Sequence, residues 1–181
     1  KELEMVLHEA RRASSVVRRL LDFSRQGERL RTSADLNEVI NDVIALTDHL
    51  LQTNNVNLLT ELEESLPWVS IDTNQIKQVL LNLIHNGLQA MPTGGEMRVS
   101  TRKGQRENRK WVVMSVKDSG VGISPEDQAR IFEPFFTTKG DRGGTGLGLS
   151  VTYGIIADHG GTIDVSSQPG GGSLFEVWLP V

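Results

Sequence analysis

Residues 73–91, TNQIKQVLLNLIHNGLQAM, have one face that must be buried and another that must be sheltered without being buried. Ile76, Val79, Leu80, Leu83, Ile84 and Met91 recur at the three- and four-residue spacing of an amphipathic helix. Asp72 stands where a cap would start that helix, and Pro92 with Gly94-Gly95 stands where it would stop. The opposite stripe is Gln75, Gln78, Asn82, Asn86 and Gln89, with His85 at its edge, and it carries no formal charge. A water-facing helix stripe normally holds Lys and Glu, which favour helices and lose nothing in solvent. Amides there predict a partly enclosed polar surface. Their oxygens suit a hard cation such as Mg²⁺ that is shared with phosphates, or they bond the backbone of a neighbouring element. The helix alone leaves both readings open.

The elements around it predict an α+β chain. Leu3, Leu7, Ala10, Ser14, Val17 and Leu21 form a heptad seam, and Val6, Ala13, Val16, Leu20 and Phe23 form a second row beside it. Two rows are too wide for one partner helix, so residues 1–28 read as a long helix made for a bundle. An extended link over 29–34 follows. Asp35 and Glu38 then have capping-box spacing before the stripe Leu36, Val39, Ile40, Val43, Leu46 and Leu50. VNLLTELEE, EMRVSTR, KWVVMSVKD, GTIDVSSQ and SLFEVWLP read as strands. EMRVSTR and KWVVMSVKD are joined through a polar GQREN loop, and the final pair forms a hairpin around PGGG. Ser124-Pro125 opens a short helix, and another is expected over roughly 145–158. Without a strict βαβ rhythm, the expected fold is a two-layer sandwich: a mixed sheet covered by helices on one face.

Charge divides the chain at the same place as pattern. Residues 1–31 carry a net +3, inside a total of −4. With a pI near 5.6 no nucleic-acid partner is indicated, and with no cysteine there is no disulfide or thiolate metal site. No apolar run reaches the roughly 18 residues of a membrane span, and no signal peptide is visible. Starting mid-pattern at KELEMVLHEA, the chain reads as a piece of a longer protein.

Three further stretches carry chemistry. In VKDSGVGIS a strand ends on Asp118 above a turn of Gly120 and Gly122, where a flat ligand could approach the backbone and the carboxylate could accept from an exocyclic amine. GGTGLGLS, residues 143–150, runs straight into a helix, and its glycines either let phosphates reach backbone N–H groups or make only a flexible hinge. Its spacing matches neither the P-loop nor G-x-G-x-x-G. Between them, IFEPFFTTKGDRG sets Phe132, Phe135 and Phe136 around a proline. These rings either anchor a mobile lid, with Lys139 or Arg142 within reach of phosphate, or simply fill a core.

In this order the amide helix, D-S-G-V-G-I, F-E-P-F-F-T-T-K and G-T-G-L-G-L-S closely resemble the ATP-binding domain of bacterial sensor histidine kinases, of the GHKL superfamily with its Bergerat fold. The resemblance covers roughly 33–181, and implies ATP and Mg²⁺ as ligands. By it, Asn86 is the metal-chelating asparagine and Asn82 lines the phosphate pocket. Gln89 stands where some kinases carry a phosphate-binding lysine, and Gly87 where alanine is more usual. Asp118 corresponds to the adenine-reading aspartate, with Gly120, Gly122 and Ile123 beside it. Thr137, Thr138 and Lys139 begin a lid over 137–143. Gly144, Thr145, Gly146, Leu147, Gly148 and Leu149 line the triphosphate. LHEARRASSVVRRLLDFSR resembles the second helix of the dimerisation and phosphotransfer hairpin.

The implied activity is transfer of the ATP γ-phosphoryl to a histidine and on to an aspartate of a response regulator receiver domain, in a homodimer held by the bundle. The phosphoacceptor belongs to the hairpin's first helix. His8 and Glu9 only partly imitate that motif, because Arg12-Ala13 stands where its polar residue and proline would be. The expected setting is cytoplasmic, with an inner-membrane anchor elsewhere in the parent. The related topoisomerase and mismatch-repair ATPases carry a glutamate that activates water one turn before the metal asparagine. Here that position is Asn82, and an amide cannot act as a general base. A third reading, a nucleotide-binding scaffold without transfer, stays open on the motifs alone.

Overall fold

The computed structural model describes residues 31–138 and 145–181, so the heptad-patterned helix over 1–28 and His8 lie outside the described residues. Four helices and seven strands are described: β1 (Thr32–Ala34), α1 (Leu36–Thr53), β2 (Val56–Glu61), β3 (Val69–Ile71), α2 (Thr73–Ala90), β4 (Gly95–Arg106), β5 (Arg109–Asp118), α3 (Pro125–Gln128), α4 (Gly148–Asp158), β6 (Thr162–Ser167) and β7 (Ser173–Pro180).

Strands β2-β4-β5-β7-β6 form one mixed sheet, in which β2 and β4 are parallel and every other neighbouring pair is antiparallel. Alternation along the strands decides its two faces. Met97, Val99, Val112, Met114, Val116, Phe175, Val177 and Leu179 are buried and join the core built by α1, α2 and α4. Residues of opposite parity face away and pair across strands. Arg98 bonds Glu61 at 2.6 Å, Arg102 bonds Glu176 at 2.8 Å, and Arg106 bonds Asp164 at 2.5 Å. Arg102 and Arg106 also lie over the Trp178 ring, at 4.9 and 3.4 Å from its centroid. Helices therefore cover one face, and a ladder of charged pairs solvates the other, as an antiparallel-rich sheet permits.

Helix α1 starts where its capping pattern predicts, with the Asp35 side chain accepting from Asn37 N–H at 2.8 Å. Its buried stripe is Leu36, Val39, Ile40, Val43, Thr47 and Leu51, so the expected Leu46 and Leu50 are exposed and the stripe shifts by one residue over the last turns. Helix α2 is capped by Asp72 and ends at Ala90, before Met91, also as the pattern predicts.

Three elements differ from the sequence reading. The expected GQREN loop is mostly strand, because β4 continues through Arg106 and turns on Glu107 and Asn108, both at positive φ. Those two residues make the primed turn that matches strand twist. Gly104 lies inside the strand because a Cβ there would come within 2.6 Å of the Trp178 ring. Helix α4 begins at Gly148 rather than near 145, since Gly146 adopts φ +66 and cannot continue a right-handed helix. Residues Val69–Ile71 also form a strand, too short for a clear alternation, and pair antiparallel with Thr32–Ala34.

Candidate functional site

A cleft of about 820 Å³ opens between α2, the end of β5 and the start of α4. Its position follows from the fold. β5 delivers Asp118 to one end, α2 turns its amide stripe toward the interior, and α4 points its N-terminus across from that stripe. Of the residues singled out in the sequence, Asn82, Asn86, Gln89, Asp118, Gly122, Ile123, Thr137, Thr138, Thr145, Gly146, Gly148 and Leu149 all line this one cleft. Residues more than 60 positions apart in sequence thus meet at one surface.

Two singled-out residues stand behind the wall instead. Gly120 is buried against Ala90, where a Cβ would fall 2.6 Å from the Ala90 carbonyl oxygen. Leu147 is buried and serves as the N-cap position of α4. Lys139 and Gly144 lie outside the described residues.

Asp118 is 4 % exposed, and its Oδ1 accepts the Gly120 N–H at 2.8 Å. Gly87 lies directly beneath. A Cβ there would stand 3.4 Å from the Asp118 Cβ and 2.6 Å from the Met97 methyl, so Met97 fills the space an alanine would take. The turn after Asp118 is braced by the β6–β7 hairpin. Gly170 N–H donates to Val121 O at 2.7 Å, and Ile123 N–H to Ser167 Oγ at 2.8 Å. Gln128 Nε2 donates to both Ile123 O and Ser167 O. Gly122, at φ +73, is held so close to Gln168 that a Cβ would lie 1.9 Å from its carbonyl oxygen. The PGGG hairpin therefore supports the cleft from behind.

The amide stripe divides its labour. Asn82 Nδ2 donates to Gly148 O at 3.1 Å and to Thr152 Oγ1 at 3.3 Å, tying α2 to the first turn of α4. Asn86 Nδ2 is buried without a hydrogen-bond partner among the described residues. An unpaired buried amide costs on the order of 1–3 kcal/mol, which marks Asn86 as a group with capacity left for a ligand. Helix α4 opens without a side-chain cap and without an acidic residue in its first turn. Its orphan N–H groups and partial positive charge thus suit an anion in the cleft.

The three phenylalanines split between their two readings. Phe132 and Phe136 pack against the core, Phe132 also against the Tyr153 ring at 5.6 Å, whereas Phe135 is 62 % exposed. Phe135 sits at φ +67, and its N–H donates to Gly146 O at 3.0 Å, which brings the ends of the 136–145 segment together. Sequence reading missed Thr47, Leu50, Leu81, Ser173 and Phe175, which complete the cleft wall. Thr47 offered the one available signal, a hydroxyl inside an otherwise apolar helix row.

No group of three or more His, Cys, Asp or Glu that could hold a metal exists among the described residues. Any cation in the cleft must therefore draw most of its ligands from a bound anion and water. Asn86 lines the cleft and could give such a cation its side-chain oxygen, while its unpartnered Nδ2 is a donor that suits an oxygen of the bound anion.

A sheet covered on one side, with an acidic group at one end of its cleft and an uncapped helix N-terminus at the other, defines an ATP-binding α/β sandwich. Residues 71–181 match the family described as "Histidine kinase-, DNA gyrase B-, and HSP90-like ATPase", and the chain belongs to that family. Sensor histidine kinase ZraS of Escherichia coli K12 is 38 % identical over 178 residues, covering 98 % of this chain and 37 % of the relative. Full-length ShkA in complex with AMPPNP superposes with a TM-score of 0.81 at 26 % identity, covering 97 % of this chain and 37 % of that one. The nucleotide-free catalytic domain of histidine kinase ThkA gives 0.71 at 33 % identity, covering 83 % and 95 %. ThkA in complex with response regulator TrrA gives 0.77 at 30 % identity, covering 97 % and 49 %. The chain spans little more than a third of the length of ZraS.

Proposed function

We propose that this chain is the ATP-binding catalytic portion of a sensor histidine kinase, which binds Mg-ATP and donates its γ-phosphoryl to a phosphoacceptor histidine for relay to a response-regulator aspartate. The observation that carries the reading is the meeting of Asp118, Asn86 and the uncapped start of α4 around one cleft. Asp118 accepts from the adenine amine, with Gly122 and Ile123 beside the base and Gly120 holding the turn behind it. Gly146, Gly148 and Leu149 offer backbone N–H groups to the triphosphate, and Leu147 anchors that turn in the core. Thr137, Thr138 and Thr145 flank the phosphates, joined by Lys139 and Gly144. Gln89 supplies an amide at the cleft rim.

Asn86 would hold Mg²⁺ through its side-chain oxygen, and the ion would supply positive charge against that of the phosphates. Asn82 acts through α4, since its amide is already engaged there. With no general base on the amide stripe, the domain works by orientation and charge placement.

The domain plan assigns 1–28 to a partial dimerisation and phosphotransfer helix, 29–34 to a linker and 35–181 to the catalytic domain. The parent acts as a homodimer through that helical bundle, with a receiver domain as partner. The ThkA complex with TrrA supports the latter. The reacting histidine belongs to the hairpin's first helix, with His8 as the alternative acceptor. Among the described residues no helix is long and apolar enough to cross a membrane. The proposed setting is the cytoplasmic part of a longer kinase, anchored through the inner membrane elsewhere in the parent.

The test pairs calorimetric titration with AMPPNP and incubation with labelled ATP plus a separate phosphoacceptor hairpin. Nucleotide binding with label on the hairpin histidine is expected. Binding without transfer to a competent acceptor would instead make the chain a regulatory scaffold.

A further inference from the structure

Helix α4 ends at His159, which is 3 % exposed. Beyond it the chain closes the helix with a Schellman motif, Gly160 N–H donating to Ala157 O at 2.9 Å and Gly161 N–H to Ile156 O at 3.0 Å. The imidazole makes two bonds of its own. Its Nδ1 lies 2.7 Å from Ile155 O, and its Nε2 lies 3.0 Å from the backbone nitrogen of Asp72. A carbonyl can only accept and an N–H can only donate. The two contacts together require a neutral ring with its proton on Nδ1.

Asp72 is the N-cap of α2, and its Oδ1 already accepts from Asn74 N–H at 3.0 Å and Gln75 N–H at 3.2 Å. Asp72 and Gln75 have the spacing of a local capping box, in which the glutamine would take the Asp72 N–H. That donor goes instead to a ring 87 residues away. The start of α2 is thus capped by the end of α4.

The consequence reaches the cleft because α2 and α4 run antiparallel and touch at both ends of α4. At the cleft end Asn82 holds Gly148 and Thr152. At the far end His159 holds Asp72, about 16 Å away along an 11-residue helix. Ile156 and Thr152 seat α4 in the core, and the His159 bond adds a second polar tie to α2 at the end opposite Asn82. We propose that His159 is a positioning residue for nucleotide binding: its Nδ1–H tautomer clamps α4 to the cap of α2 and so sets where the α4 N–H groups meet the phosphates. This rests on the cleft being the nucleotide site.

The test uses the 1–181 chain with AMPPNP and Mg²⁺ as probe. His159→Asn keeps a donor near Ile155 O but cannot reach Asp72. His159→Gln extends an amide oxygen toward the place Nε2 occupies. The expected result is AMPPNP affinity about tenfold weaker in H159N, the loss that one displaced hydrogen bond allows, with recovery in H159Q to within about threefold of wild type. Imidazole ¹⁵N spectra of the wild-type chain should show the Nδ1–H form, with or without AMPPNP. An Nε2–H ring would overturn the clamp even if H159N failed to fold. Unimpaired AMPPNP affinity in a folded H159N, beside a binding wild type, would also overturn it while leaving the nucleotide reading intact. Absence of AMPPNP binding by wild type would overturn both.

Discussion

Asp118 places a carboxyl at the end of a strand with only 4 % of it exposed, a placement that needs polar partners. Its Gly120 contact supplies part of that compensation, and the same contact would survive in Asp118→Asn, which keeps shape and removes charge. The variant should therefore fold with little change in melting temperature. Its AMPPNP affinity should drop by a factor of about ten to a hundred, because an amide presents a donor where the base presents one too. Calorimetric titration beside thermal denaturation checks this, and unchanged affinity would remove Asp118 from the site. Gly146 poses the opposite problem, one of backbone. At φ +66 a Cβ would stand 2.4 Å from the Phe135 carbonyl carbon, so Gly146→Ala adds left-handed strain to a direct collision. A loss of about 1–3 kcal/mol in denaturant unfolding is expected, together with weaker AMPPNP binding as the turn into α4 shifts. Full stability in G146A would show that the turn relaxes without cost.

Between elements, the segment after β2 is tied to β4 by a small network. Glu63 accepts from the Lys103 N–H at 2.8 Å and pairs with its ammonium at 3.1 Å. Glu63 N–H donates to Thr101 Oγ1, whose hydroxyl donates to Asn37 Oδ1 on α1. The Lys103 backbone N–H first, and its side chain second, hold the Glu63 carboxyl below the usual carboxylate range. A lowered folded-state pKa stabilises above the unfolded value, and that contribution is lost as pH falls through the folded one. Glu63→Gln should therefore melt slightly below wild type at pH about 7, and the gap should close as pH falls toward about 3. Parallel thermal melts across that range decide it; a gap that persists in acid would assign the effect to shape alone. This network was not legible in the sequence, nor was the short β1–β3 pair, since three-residue strands carry no periodicity. The capped, striped helices α1 and α2 were legible because apolar period and cap residue agreed. GQREN reads as a loop because it is polar throughout, whereas Gly104 lies within the strand and clears space for Trp178 from another strand.

At the scale of the molecule, the cleft is formed by chain segments that carry no signal of their mutual position until the sheet assembles. Asp118, Asn86 and Gly146 were each readable as ordinary turn or helix residues, and only their order made a site. Leu50 and Phe175 escaped because as apolar residues they differ from their neighbours in nothing but the space they border. Assembly also decides what the cleft could offer the proposed metal. The amide stripe brings oxygen donors but no charge, and no acidic or histidine cluster among the described residues could hold a cation alone. Mg²⁺ sheds its water reluctantly and takes few protein ligands unless carboxylates or phosphates compensate its charge. The domain should then have no measurable affinity for Mg²⁺ by itself. AMPPNP should bind about tenfold or more weakly in EDTA than with Mg²⁺, and Asn86→Ala should abolish most of that difference while leaving metal-free binding nearly unchanged. Titrations of Mg²⁺ alone, AMPPNP in EDTA and AMPPNP with Mg²⁺, on wild type and N86A, measure each part. Saturable Mg²⁺ binding without nucleotide would mean that the protein supplies a charged metal site of its own, and the cleft would need a different metal ligand from Asn86.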